Sequence, residues 1–391
     1  MSKTTRLIQH GRSDAQRVRT VNIPVARAST VLFDSPEHLA ETQRRFEADE
    51  AVATYGIKNM PLRNAFEELA CELEGGHRAV TLPSGLAAVS VALLAVVRAG
   101  DHVLVSDSVY GPTRTFCTET LAQFGVSTTF FDPMVSGAEL GGLMRPNTVA
   151  VYLESPGSLT FEVQDVPAIA KAAHERGAFV IADNAWGTGL LYPVMDYGVD
   201  IVVQPATKYL AGHSDVIIGA IVANERAWPR VSQTAHNLGQ TASPDDIFLT
   251  LRGMRTLALR LQHQGETGLT VARWLEQRPE VARVLHPGLE SDPGHALWRR
   301  DFKGASGLFG VELKPSSSRQ FSALMTGCVH FGIGYSWGGF ESLIVPANLR
   351  HGRTVRPWEG GPLIRLHVGL EDAQDLIADL EAGLERWKSA A

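Results

Sequence analysis

The sequence predicts an α/β fold built on a mostly parallel central sheet, followed by a smaller α/β region. Three observations carry this. Short, almost continuously apolar runs recur through residues 79–223, segments of helical pattern separate them, and the pattern changes after Asp246. Strands covered by helices on both faces look like this, because neither face alternates with solvent. At 391 residues the chain exceeds one ordinary core; that length fits about two domains and a short extra segment.

The elements follow in order. AVTL at 79–82 reads as a strand and leads through Pro83 and Ser84 into a helix over 86–97. HVLV at 102–105 is the second strand, with a helix over 112–124 behind it. STTFF at 127–131 and TVAVYL at 148–153 come next. A helix over 166–176 has Asp165 as its N-cap and Gly177 to close it. FVIAD at 179–183 and DIVVQ at 200–204 are strands, and GAIVA at 219–223 is a further candidate. Residues 247–277 read as one long helical stretch, with any break expected at Gly265 or Gly268. Strands are expected at LFGVEL, 308–313, and LIRLHVG, 363–369, before a final helix over 373–387. A domain boundary is placed near residue 254. The opening segment lacks strand–helix alternation and is read as an arm packing on another subunit.

Composition narrows the function classes. The net charge is −6, and only the opening is mildly basic, at Arg6, Arg12, Arg17 and Arg19, so nucleic acid is a weak hypothesis. Cys71, Cys117 and Cys328 are far apart and form no zinc-spaced cluster, which points to a reducing compartment without a disulfide framework. The longest apolar run, 86–97, is too short to span a bilayer. The polar opening lacks the apolar region of a signal peptide, and the cytoplasm is the expected location.

Polar residues gather just after strand ends, where open α/β sheets bind ligands. Lys208, in Gln204-Pro205-Ala206-Thr207-Lys208-Tyr209, is placed to form a Schiff base: a desolvated amine has a lowered pKa and is nucleophilic near neutrality. Taken alone, it reads as a surface lysine; its surroundings change that. Asp183 ends an apolar strand and suits a protonated ring nitrogen, or else caps a turn. Ser84, Gly85 and Leu86 stand between a strand and a helix, where backbone N–H groups cradle phosphate, and the Thr207 hydroxyl can join them. An ordinary capped turn is the alternative. Tyr110 offers a face for stacking on a flat heterocycle, or simply packs. Arg365, inside an apolar strand, needs a partner; a substrate carboxylate and a structural ion pair both qualify.

Together these residues resemble the Cys/Met-metabolism family of fold-type I enzymes, which use pyridoxal 5'-phosphate (PLP). The resemblance runs from Tyr55 to Gly383. Its most specific pieces, in the family's order, are ELEGG (72–76), LPSGLAA (82–88), LESPGS (153–158), VQDVPAI (163–169), ATKYLAGHSD (206–215), RDFKGASGLF (300–309), YSWGGFESL (335–343) and LIRLHVGLED (363–372). It implies an aspartate aminotransferase-like fold: an N-terminal arm over 1–58 reaching a neighbouring subunit, a PLP-binding large domain over 59–254 and a small domain over 255–391. It implies Lys208 as the Schiff-base lysine and general base, Asp183 as the pyridine partner, Tyr110 stacked on the ring, and Ser84, Gly85, Leu86 and Thr207 around the phosphate. Arg365, helped by Ser336 and Trp337, would hold the substrate carboxylate. Tyr55 would enter the neighbour's site, with Tyr55 and Tyr110 as acceptors of the substrate's ammonium proton. A homotetramer, a dimer of dimers, is implied.

The implied activity is carbon–sulfur bond cleavage in a small amino acid. Relatives that act at the γ-carbon usually carry Asn where Ser158 stands and Ser-Leu-Gly-Gly where this chain has Ser336-Trp337-Gly338-Gly339. Both marks imply α,β-elimination, as of L-cystathionine to homocysteine, pyruvate and ammonia in methionine biosynthesis. One departure stands out. The family's phosphate arm usually reads Tyr-x-Arg followed by Gly-Thr; here it is Tyr55-Gly56-Ile57, then Lys58 and Asn59-Met60. Lys58 is expected to point elsewhere if the arm is extended. The alternatives are a γ-lyase or cysteine desulfhydrase-type lyase and, more remotely, a non-catalytic regulator of the same fold, though Lys208, Asp183 and Arg365 are all retained. A nicotinamide dehydrogenase lacks its Gly-x-Gly-x-x-Gly after a strand.

Overall fold

The computed structural model describes residues 2–9, 20–48, 50–349 and 352–390. Arg12, Arg17 and Arg19 of the basic opening lie outside them. The apolar runs form a seven-stranded sheet: β1 (Arg78–Leu82), β2 (His102–Ser106), β3 (Ser127–Phe131), β4 (Thr148–Glu154), β5 (Phe179–Asp183), β6 (Ile201–Gln204) and β7 (Gly219–Ala223). Their spatial order is β1-β7-β6-β5-β4-β2-β3. Strand β7 runs antiparallel to β1 and β6; the pairs among β6, β5, β4, β2 and β3 are parallel.

Successive strand residues feed two different cores. Leu104, Val151, Val180 and Val202 pack on one face, and Val103, Val105, Tyr152, Ile181 and Val203 on the other. This explains the unbroken apolar runs of β2, β4, β5 and β6, whose two faces are both covered. Each such side chain contributes about 1.5–3 kcal/mol on full burial.

Local signals set several helix ends. The Ser84 hydroxyl accepts from Ala87 N–H and opens the helix Gly85–Leu94, which ends before residue 97. Asp165 caps Val166–Glu175, and Gly177 follows in the left-handed region at φ 77°. The expected helix over 112–124 begins as Gly111–Thr115 and contains a π-helical turn at Phe116–Thr120.

The long stretch breaks elsewhere than expected. Helices Pro244–Met254 and Leu257–Glu276 meet at Arg255 and Thr256. Gly265 and Gly268 lie within the second helix, where a Cβ would sit 2.3 Å from the Ala305 carbonyl oxygen and 3.1 Å from Gly307 Cα. They permit close packing and do not interrupt the helix. Beyond them lies a five-stranded sheet of order β10-β11-β12-β9-β8, comprising β8 (Val281–Leu285), β9 (Leu308–Leu313), β10 (Gly332–Ile333), β11 (Leu343–Ala347) and β12 (Leu363–His367). Its core includes Phe309, Val311, Ile344 and Leu366 against Leu376 and Leu380 of the final helix Ala373–Ser389. Strands β8 and β11 were not foreseen: β8 exposes two of its five residues, and β11 contains Pro346. The opening region holds helices Lys3–Gln9 and Pro36–Glu47, the latter capped by Ser35.

Candidate active site

The carboxyl ends of β4, β5 and β6 lie side by side, and the turns after them collect the polar residues. Register places Glu154 of β4 opposite Asp183 of β5. Asp183 is 6% exposed. One of its oxygens accepts the Ala185 N–H at 2.9 Å, and the other meets no donor among the described residues. Burial pushes its carboxyl up to about 7, against the pull of that N–H and of the Lys208 charge. A buried carboxylate in this condition calls for a cationic partner.

Lys208 follows β6 and projects toward the second sheet. Its Nζ donates to Ser336 Oγ at 2.6 Å and lies 5.3 Å from the centroid of the Trp337 ring. Burial first, and the Arg365 charge second, lower its pKa to about 8. The amine is therefore partly neutral near physiological pH, as a nucleophile or base requires. Arg365 on β12 donates through Nη2 to the Ser336 carbonyl at 2.7 Å. Burial lowers its pKa to about 10, and it stays cationic. Ser336 is thus held from both sides, in the left-handed region at φ 73°. Gly338, at φ 87°, lets the backbone approach the Lys208–Tyr209 peptide: a Cβ there would sit 2.8 Å from Tyr209 N. The Gly338 N–H donates to Nε2 of buried His367, whose burial drives its pKa to about 3 and keeps it neutral.

Tyr110, 48% exposed, stands at the start of Gly111–Thr115. Its backbone N–H donates to Glu154 Oε2 at 2.6 Å. Burial, with the Glu154 and Asp183 charges, raises the phenol's pKa while Arg365 opposes. The Ser84 hydroxyl caps Ala87, and the N–H groups of Gly85 and Leu86 meet no acceptor among the described residues. Gly85 is pressed on Pro205, where a Cβ would come within 2.7 Å, so the turn after β6 and the start of this helix share one cradle. The Thr207 hydroxyl is occupied locally, donating to Ile218 O at 3.1 Å and accepting Ile218 N–H at 2.9 Å.

Lys208, Asp183, Tyr110, Arg365, Ser336 and Trp337 are thus brought together, with the Ser84–Leu86 turn beside Pro205. Tyr55 is separate. It is 55% exposed and bridges Thr30 and Lys58. Its arm is not extended: Lys58 N–H returns to Tyr55 O at 3.3 Å, and Lys58 Nζ lies 4.9 Å from the centroid of the Phe46 ring. Glu154 and His367 were missed. Glu154 ends an apolar strand as Asp183 does, so the same signal was available; the role of His367 depends on a contact 29 residues away.

The donor set fits PLP. A part-buried amine of lowered pKa, a buried carboxylate with an unpaired oxygen, open helix N–H groups and an aromatic face match its aldehyde, ring nitrogen, phosphate and ring. Comparison with known proteins agrees. The profile of the family described as Cys/Met metabolism PLP-dependent enzyme matches residues 4–385. The chain belongs to this family. Within it, the chain is 42% identical to cystathionine beta-lyase MetC of Escherichia coli (strain K12) over 389 residues, 98% of each chain. It is 43% identical to cystathionine beta-lyase of Bordetella avium, covering 94% of this chain and 92% of that one. The crystal structure of cystathionine gamma synthase from Xanthomonas oryzae pv. oryzae in complex with aminoacrylate and cysteine superposes over 100% of both chains, at 30% identity and TM-score 0.91. As a family member, the protein is a PLP-dependent enzyme. No helix among the described residues is long and apolar enough to cross a membrane.

Proposed function

We propose that this protein is a carbon–sulfur β-lyase that cleaves L-cystathionine to homocysteine, pyruvate and ammonia. The observation that carries the reading is the Lys208 amine, part-buried just after β6 between Ser336, Arg365 and Asp183. Its lowered pKa would suit it to hold the cofactor through its aldehyde and to act as a base near neutral pH. Bound PLP supplies the electron sink that makes the substrate's α-proton acidic.

The protein's residues do the rest. Arg365 grips the substrate α-carboxylate in bidentate fashion, and Ser336 and Trp337 set its approach. Lys208 removes the α-proton and returns one to the departing thiolate. Asp183 would hold the ring nitrogen protonated, and that charge would lower its own raised carboxyl. Tyr110 would offer its face to the ring. Its raised phenol pKa keeps it protonated in the free protein even beside Arg365, so accepting the substrate's ammonium proton would require the charge of the bound cofactor to lower it. Ser84, Gly85 and Leu86 would hold the phosphate, with Thr207 in the adjoining turn, its N–H and hydroxyl both bonded to Ile218. Tyr55 of one protomer serves its neighbour's site in a homotetramer. Residues 59–254 form the PLP-binding domain and 255–391 the small domain, and the enzyme works in the cytoplasm.

Ser158 and Trp337 favour β- over γ-elimination, and product analysis tests this. Purified, PLP-loaded protein given L-cystathionine should release homocysteine, pyruvate and ammonia. Cysteine with 2-oxobutyrate would make it a γ-lyase.

A further inference from the structure

The turns that carry Tyr110 and Ser158 are joined, since Ser158 N–H donates to Ser108 O at 2.7 Å. One segment from the C-terminal part of the chain grips both. Asp107, fully buried just after β2, lies 3.0 and 3.1 Å from the Thr354 N–H through its two oxygens. It also accepts the N–H groups of Val355 at 3.1 Å and Arg356 at 3.2 Å, and the Thr354 hydroxyl at 3.1 Å. Arg114 completes the cluster. It pairs with the Asp107 carboxylate, donates to the Asp107 carbonyl at 3.1 Å and to the Thr354 hydroxyl at 3.3 Å, and lies 3.7 Å from the Phe130 ring centroid. At the near end of the segment, buried Arg353 donates to the Thr160 hydroxyl, to Ser158 O at 3.4 Å and to Glu162 at 3.2 Å.

A buried carboxylate is costly unless donors satisfy it. Burial alone pushes the Asp107 carboxyl up; the N–H groups of Thr354 and Arg356 and the Arg114 guanidinium outweigh this and hold it below the usual carboxylate range. Three consecutive backbone N–H groups, nearly 250 residues away in sequence, converge on this one side chain. Tyr110 lies between Asp107 and Arg114 in the chain, so the pair brackets it.

We propose that Asp107 is a positioning residue which, with Arg114, clasps residues 353–356 across the two turns bearing Tyr110 and Ser158 and so fixes one wall of the substrate cleft. This rests on the reading that those turns line the cleft. The clasp acts on substrate fit more than on the proton transfers, because Glu154 still holds the Tyr110 backbone when the clasp is loosened.

The test uses the PLP-loaded enzyme and two variants. Asp107→Asn keeps the shape but strands the Arg114 charge, which can impair folding; Asp107→Asn with Arg114→Gln removes both charges and leaves no buried ion unpaired. Hydrogen exchange of the peptide spanning 352–358 should quicken about tenfold in the double variant, with β4 unchanged. The KM for L-cystathionine should rise about fivefold, with kcat within about twofold. Unchanged exchange, or faster exchange with unchanged KM, or a loss confined to kcat would overturn the clasp. If the wild-type enzyme releases no pyruvate from cystathionine, the lyase reading fails instead. The clasp is then judged by exchange and by the PLP dissociation constant, which should rise about threefold or more as the Tyr110 wall loosens.

Discussion

Replacing Lys208 by methionine should abolish turnover and, in the apoprotein, make the fold more stable at neutral pH. The reasoning runs through desolvation. The amine's pKa falls from 10.5 to about 8, chiefly because burial disfavours the ammonium. Holding that charge in the fold costs about 3 kcal/mol at pH 7. Methionine removes the charge at similar length, but loses the hydrogen bond to Ser336 Oγ, which offsets about 1 kcal/mol. The net gain is about 2 kcal/mol. The sign can be checked against pH. Between about 8 and 10.5 the unfolded chain binds more protons than the folded one, so wild-type stability rises with pH across that window. The penalty is complete below pH 8 and gone above 10.5. The advantage of the variant should therefore shrink by about 2 kcal/mol between pH 7 and pH 9.5. Urea unfolding of both apoproteins at equal protomer concentration measures it. A variant less stable than wild type at pH 7, or a gap that does not move with pH, would refute the desolvation argument. The PLP-loaded variant should also lack the visible absorbance of lysine-bound cofactor, and full activity would sink the site assignment.

Three further outcomes are expected. Arg365→Lys keeps the charge but loses the planar fork, and kcat/KM for cystathionine should fall roughly a hundredfold, mainly through KM; an unchanged KM would move the carboxylate grip elsewhere. Asp183→Asn should lower kcat roughly a hundredfold while the PLP-loaded protein still shows cofactor bound at Lys208, because only the partner of the ring nitrogen is lost; steady-state rates and absorbance spectra decide it. Gly338→Ala places a Cβ 2.8 Å from Tyr209 N at φ 87°, and should destabilise the protein by about 1–3 kcal/mol, seen as a lower thermal midpoint; no shift would refute the close approach.

Much of the sheet was legible because its strands announce themselves locally. β3, β5, β7 and β9 begin and end at the expected residues; β5 and β7, buried at every position, are almost wholly apolar, as strands covered on both faces are. The five residues of β8 expose two, which blurs any periodicity, and Pro346 argues against β11 in the sequence while the fold accommodates it. The expected break at Gly265 or Gly268 failed for a tertiary reason. Glycine weakens a helix in isolation, but here it admits the backbone of residues 305–307, and the interruption falls at Arg255 and Thr256.

Local pattern marks the residues at and just beyond strand ends: Asp183 closes β5 and Lys208 follows β6, and polar groups there stand at the sheet's carboxyl edge. Local pattern also determined the Ser84 and Asp165 caps, since a cap acts within one helical turn. What those residues meet depends on long-range packing. Parallel register set Glu154 against Asp183, Ser336 and Arg365 closed on Lys208 from a separate sheet, and Asp107 found its donors 247 to 249 residues away. Such contacts arise where elements distant in sequence pack together, and no local periodicity encodes them.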